Sequence, residues 1–155
     1  MHTKMKKIRN AVFETNSSSS HSISVSDVNS DELMDNVMVM DENDNVVVEP
    51  GEFGWEEEVY NDSVTKASYM LTYVKNYCGD RESEFEEMLK DVIKEQTGCN
   101  DVIFNESGDK YYNYGYIDHQ SSSDDQLHWV FENKETLRQF IFNRESILET
   151  DNDNH

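Results

Sequence analysis

Two histidines in this chain sit where hydroxyls, amides and carboxylates gather. The first, His21, closes the run Glu14-Thr15-Asn16-Ser17-Ser18-Ser19-Ser20-His21-Ser22. The second, His119, lies in Tyr116-Ile117-Asp118-His119-Gln120-Ser121. If the two stretches converge, three chemistries are available. In a two-histidine phosphoesterase, one imidazole takes a proton and the other gives one. His119-Gln120-Ser121 has the H-x-[ST] spacing of such enzymes, whereas His21-Ser22-Ile23 does not. A serine nucleophile would need a histidine base and a carboxylate to orient it, but the G-x-S-x-G elbow is absent. A metal site from two histidines and two carboxylates lacks the close H-x-x-H or H-E-x-x-H spacing. No metal and no cofactor is therefore expected. The candidate catalytic set is His21, His119, Glu14 and Asp118. Asn16, Ser17, Ser18, Ser19, Ser20, Ser22, Tyr116, Gln120 and Ser121 are the candidate ligand-binding groups around it.

A structural role competes with each of these. Ser, Thr and Asn side chains capture nearby backbone groups and shape tight turns, so the serine run also reads as a polar surface loop. Asp118 and His119 are adjacent, and neighbouring strand residues point to opposite faces. They cannot orient each other directly if the strand continues; His119 with Tyr116, or Asp118 with Ser121, can pair only where the strand bends into the loop. His128 and Trp129 read as half-buried residues, and His2 and His155 as tail residues. Phe53, Trp55 and Tyr60 suit either core packing or a binding patch.

Charge narrows the choice of partner. The chain has 155 residues and a formal net charge of -20, with 33 Asp and Glu against 13 Lys and Arg. Such a surface repels nucleic-acid backbones and anionic membranes. It suits a basic protein surface, including a groove that normally holds nucleic acid. Between Asp27 and Asp62 there are 13 acidic residues and no Lys or Arg. Asp41, Glu42, Asp44, Glu56, Glu57 and Glu58 form the candidate partner-binding face. Cys78 and Cys99 fit no metal or redox spacing and read as buried free thiols in a reducing cytoplasm. No apolar run is long enough to span a membrane, and no signal peptide is expected from the basic Lys4–Arg9 stretch.

The elements that must position these groups follow from periodicity. Ala11–Phe13 and Ser24–Val25 read as strands on either side of the serine loop, and Ser30 caps a short helix. Val37–Met40 and Val46–Val48 flank Asp41–Asn45, a strong turn signal, and read as a hairpin. Gly51–Trp55 reads as an irregular aromatic loop. Val64, Ala67, Leu71, Val74 and Cys78 mark the apolar stripe of one helix, with Asn61, Asp62 or Ser63 as cap and Gly79 as stop. Phe85, Met88, Leu89, Val92 and Ile93 mark a second, opened by Asp80 or Ser83 and closed by Gly98. Asp101–Asn105 and Tyr111–Ile117 read as a second hairpin. Leu127–Phe131 is a strand or the lead into a last helix, Lys134–Asn143, capped by Asn133. Ile147-Leu148 reads as a short edge strand. The expected fold is α+β, a small mixed or antiparallel sheet with about three helices. Residues 1–10 would be a basic flexible arm, 11–148 a single domain, and 149–155 an acidic, polar tail.

Arg9 to Ser22 resembles the opening of a group of small proteins encoded by bacteriophages and by bacteria carrying phage-like elements. Tyr116 to Ser121 is similar to a later motif of that group, as are Phe140-Ile141-Phe142 and the Asp151-Asn152-Asp153-Asn154 ending. The resemblance implies a phage origin and marks His21 and His119 as positions of interest; it supplies no mechanism.

Two expectations result. One is an accessory protein, working in the cytoplasm of an infected bacterial host, that binds a host or defence protein through its acidic face. The other is a nucleotide- or phosphoester-acting enzyme, or a ligand-binding protein, built on the two histidine stretches. An anionic substrate needs cations nearby; Arg9 and Lys110 lie close to the two motifs in sequence.

Overall fold

In this computed structural model, residues 8–14, 20–26, 34, 38–53, 58–105, 116–117 and 128–150 are described; for 8–14, 20–22 and 116–117 the description is of the backbone. The fold is α+β. Its three helices pack together against a four-stranded antiparallel sheet and two two-stranded parallel ones.

The antiparallel sheet has the order β1 (Ile8–Glu14), β2 (Ser20–Ser26), β8 (Ile147–Thr150), β5 (Glu58–Tyr60). β1 and β2 form a hairpin with Glu14 opposite Ser20 and Ile8 opposite Ser26. β1 thus begins inside the stretch read as a flexible arm, and β8 runs to Thr150, inside the expected tail. The Ile147-Leu148 segment is not at an edge: β8 pairs with β2 on one side and β5 on the other.

Helix α1 (Ser63–Tyr77) starts where Asp62 accepts the Thr65 N–H at 2.9 Å. Ala67, Leu71, Val74 and Cys78 are buried as their spacing predicts, but Val64 is 53% exposed. A single 3-10 turn at Gly79–Arg81 leads into α2 (Glu82–Thr97). Gly79 has φ 52°, and Gly98, which ends α2, has φ 73°. Both lie in the left-handed region that glycine enters without a Cβ penalty. Helix α3 (Lys134–Phe142) is capped by Asn133, which accepts the Thr136 N–H at 2.8 Å. Residues His128–Phe131 before it form a 3-10 turn, not a strand. The core joins all three helices. Phe85 of α2 stacks on Phe131 with ring centroids 4.4 Å apart. Lys75 of α1 pairs with Glu82 and Glu86 of α2 at 3.3 and 3.0 Å.

The extended ladder expected between Val37–Met40 and Val46–Val48 is not what holds the second of these runs, and the turn and most of the second strand of the hairpin expected after Asp101 lie outside the described residues. β3 (Asn45–Val48) pairs in parallel with β6 (Asp101–Phe104), and β4 (Glu52–Phe53) in parallel with β7 (Tyr116–Ile117). Among the described residues, the expected antiparallel pairing across the Asp41–Asn45 turn is present as a single bridge, Met40 to Val46. The long excursion through α1 and α2 makes parallel pairing possible, because it serves as the crossover such pairing needs. Pairing with β6 also places Val46, Val48 and Val102 against the helices, burying all three. Gly51–Trp55 is correspondingly part strand. The expected helix start at Ser30 and most of the Tyr111–Ile117 strand lie outside the described residues.

A buried polar junction fastens the antiparallel sheet to the helices. Lys66 of α1 is fully buried, and its ammonium donates to the Asn143 and Ser146 carbonyls at 2.8 and 2.9 Å. The Ser146 hydroxyl donates to the Gln139 carbonyl and accepts the Ser26 N–H. The end of α3, the start of β8 and the end of β2 therefore meet at one point on α1.

Candidate functional site

The hairpin explains the placing of the serine run. Pairing of Glu14 with Ser20, Phe13 with His21 and Val12 with Ser22 brings the two ends of the run side by side. The loop is therefore shorter than its composition suggested: Glu14 belongs to β1, and Ser20, His21 and Ser22 belong to β2. Polarity alone made those residues look like loop. In a strand, backbone pairing with β1 decides. Asn16, Ser17, Ser18 and Ser19 lie outside the described residues, as do Asp118, His119, Gln120 and Ser121 of the second stretch. Tyr116 opens β7, opposite Glu52.

The strands that carry the two histidine stretches belong to different sheets. A described link between these sheets runs through Phe53 of β4, whose ring meets Tyr60 of β5 edge-on at 6.3 Å. β5 is separated from β2 by β8. Among the described residues, no group of three His, Cys, Asp or Glu is arranged to hold a metal ion.

His128 is half-buried, as expected, but it has a defined partner. Its Nδ1 lies 2.8 Å from the Tyr73 hydroxyl, and its ring sits edge-on to Phe85 at 5.1 Å. Phe53 is core, edge-on to the buried Tyr69 at 5.0 Å. Trp55 is outside the described residues. Cys78 and Cys99 are buried free thiols.

The described residues of the candidate acidic face are divided between two sheets. Asp41, Glu42 and Asp44 are exposed on the turn before β3, and Glu58 is exposed at the start of β5; Glu56 and Glu57 lie outside the described residues. The turn is held by its own chemistry. Asp41 Oδ1 accepts the Asn43 and Asn45 N–H groups at 2.8 and 3.0 Å. Asp44 adopts φ 61°, a conformation Asp tolerates better than most residues. From the far side of α2, Asn100 donates its backbone N–H to the Asp44 carbonyl and its amide to the Asn43 carbonyl. The carboxylates are thus presented on a fixed loop.

Cations are distributed unevenly around this face. No Lys or Arg occurs between Arg9 and Lys66, and Lys66 points into the core. Among the described residues, ion pairs join Lys75, Arg81, Lys134 and Arg138 to carboxylates of α2 and α3. There the Arg81 hydrogen bond and charge hold the Glu84 carboxyl below its usual range, and Glu95 pushes the Lys134 ammonium up. Asp41, Glu42, Asp44 and Glu58 make no ion pair among the described residues.

Beside the acidic turn lies a feature the sequence reading missed. An open groove of about 430 Å³ runs between β3 and the start of α1, lined by Met38, Val39, Val47, Pro50, Phe53 and Val64 among others. Val39 is 85% exposed. Its signal was present in Val46-Val47-Val48: three consecutive valines make both faces of a strand apolar, and only one face meets the helices.

Comparison with protein-family models, curated proteins and solved structures gives no match. Among the described residues, no helix is long and apolar enough to cross a membrane.

Proposed function

We propose that this chain is a small acidic accessory protein of phage type that binds and interferes with a host or defence protein in the cytoplasm, by occupying a basic surface such as one made for nucleic acid. One observation carries the reading. Asp41, Glu42 and Asp44 stand exposed on a turn locked by backbone hydrogen bonds, without cation partners among the described residues. A turn whose backbone is already ordered loses little conformational freedom on binding, and its exposed carboxylates are open to a partner's cations.

The test is affinity capture from host lysate at about 50 mM and about 300 mM salt, a range over which exposed charges become strongly screened. Three proteins are compared: wild type, Glu42→Gln/Asp44→Asn/Glu58→Gln, and His21→Ala/His119→Ala. Asp41 is left intact because its carboxylate holds the turn. A single stoichiometric partner should be kept by wild type and by the histidine variant, be released by salt, and be lost by the neutralised variant. If the neutralised variant holds its partner as firmly as wild type at both salts, the proposal fails. A phenotype lost only in the histidine variant would transfer the function to a phosphoester or nucleotide site on the two histidine stretches.

A further inference from the structure

Two-stranded β3–β6 is unusual in what it leaves uncovered. Parallel strands ordinarily have both faces buried. Here Val46, Val48 and Val102 face the helices, while Val47 and its register partner Ile103 face outward, 41% and 40% exposed. Val39 and Val64 flank Val47 across the groove, 85% and 53% exposed. Four aliphatic side chains therefore share one solvent-facing surface, a grouping that marks interaction sites more often than chance exposure does.

The margins of the groove are acidic. Glu49 is in its wall. The Asp41–Asp44 turn begins immediately after Met40, and Asp62, the α1 cap, is two residues before Val64. None of the groove-lining residues is a Lys or Arg. The groove also offers little to orient a small polar ligand: the Ser68 hydroxyl is already donated to the Glu49 carbonyl. A second copy of this chain would bring its own net charge of -20 against these acids, a repulsion that opposes self-association.

We propose that this groove is the anchor site for a segment of the partner protein that inserts aliphatic side chains between Val39, Val47 and Val64 and places Lys or Arg beside Asp41, Glu42, Asp44 and Glu49. The inference rests on the acidic face being the binding face and adds what lies at its centre. The apolar anchor supplies affinity from a dry core, and the charged margin supplies orientation and speed of encounter.

The probes are three short fluorescein-labelled peptides: alternating Leu and Lys, alternating Leu and Glu, and alternating Ser and Lys. Binding to the full chain is read by anisotropy, and the site by methyl NMR of the valines. The Leu/Lys peptide should bind and shift Val39, Val47 and Val64, and the other two should not. Val39→Ser/Val47→Thr should weaken it about tenfold. Both side chains are exposed, so this variant should retain the wild-type unfolding midpoint. If Val39→Ser/Val47→Thr binds normally while Glu42→Gln/Asp44→Asn does not, the groove is not the anchor and the acidic reading survives. Equal binding of Ser/Lys has the same meaning. If neither variant changes binding, both readings fall. Equal binding of Leu/Glu, or no binding by any peptide, overturns the inference. So does a dimer in sedimentation that Val39→Ser/Val47→Thr dissolves, which would make a second copy the occupant.

Discussion

Replacing Lys66 with Met tests whether the fold is pinned where α1 meets the turn after α3. Met keeps much of the apolar stem and removes the ammonium. The ammonium is fully buried and donates to two carbonyls at 2.8 and 2.9 Å, those of Asn143 and Ser146. It also sits 5.7 Å from the centre of the Phe140 ring. Hydrogen bonds to charged groups contribute about 1.5–3 kcal/mol each, so losing both costs roughly 3–6 kcal/mol. Against that, the variant no longer has to desolvate an ammonium, which returns part of the loss. The expected net destabilisation is about 2–4 kcal/mol. With a urea m-value of about 2 kcal/mol per molar, the midpoint falls by about 1–2 M. The loss should be local in origin. Amide exchange should quicken first at Ser146 to Thr150, because the ammonium holds the turn that delivers β8 between β2 and β5. A midpoint within about 0.3 M of wild type, with unchanged exchange in β8, would show that these hydrogen bonds do not pin the sheet to α1.

Other residues give sharper contrasts. Tyr69 is fully buried with no partner for its hydroxyl among the described residues, and burial pushes its phenol far above the usual range, with the neighbouring Tyr77 and Tyr73 adding to the shift. Tyr69→Phe should therefore leave stability unchanged or raise it by up to about 1 kcal/mol, whereas Tyr73→Phe, which loses the 2.8 Å bond to His128, should lower it by about 1 kcal/mol; equal effects in urea unfolding would refute the difference. Cys78 and Cys99 are buried, so a thiol-specific reagent should label neither in the native protein and both in denaturant; rapid native labelling would show that α1 or the α2–β6 junction opens readily.

Local signals placed the three described helices and most of their ends, but α2 starts at Glu82 after an Arg81 that makes no side-chain cap, not at Asp80 or Ser83. Asp62 and Asn133 accept the N–H groups that their positions before α1 and α3 demand. Gly98 takes the left-handed conformation that its place after α2 requires. Val46-Val47-Val48 and Val102-Ile103-Phe104 became strands for the same local reason. Strand pairing was not legible, because it depends on contacts distant in sequence. Asp41–Asn45 makes the tight turn its composition predicts, yet β3 takes its ladder from β6, more than fifty residues later. The same limit governs the candidate site. His21 looked like a loop residue because its neighbours are polar, and becomes a strand residue because β1 lies opposite.

Val64 shows how one reading error hid a surface. Its spacing with Ala67 and Leu71 puts it on the apolar stripe, but it is 53% exposed and lines the groove beside β3, while Ser63, Lys66 and Ala67 of the same turn are buried. Helical periodicity says which residues share a face and leaves open how much of that face is covered. The same holds for Val47, whose alternation with Val46 and Val48 identifies an outer face without saying what meets it. The acidic character of the segment was plain from composition. That it surrounds an apolar groove follows only from parallel pairing of β3 with β6, which turns Val47 and Ile103 outward together. Charge was legible residue by residue, whereas the apolar centre that would give it a specific partner exists only in the assembled fold.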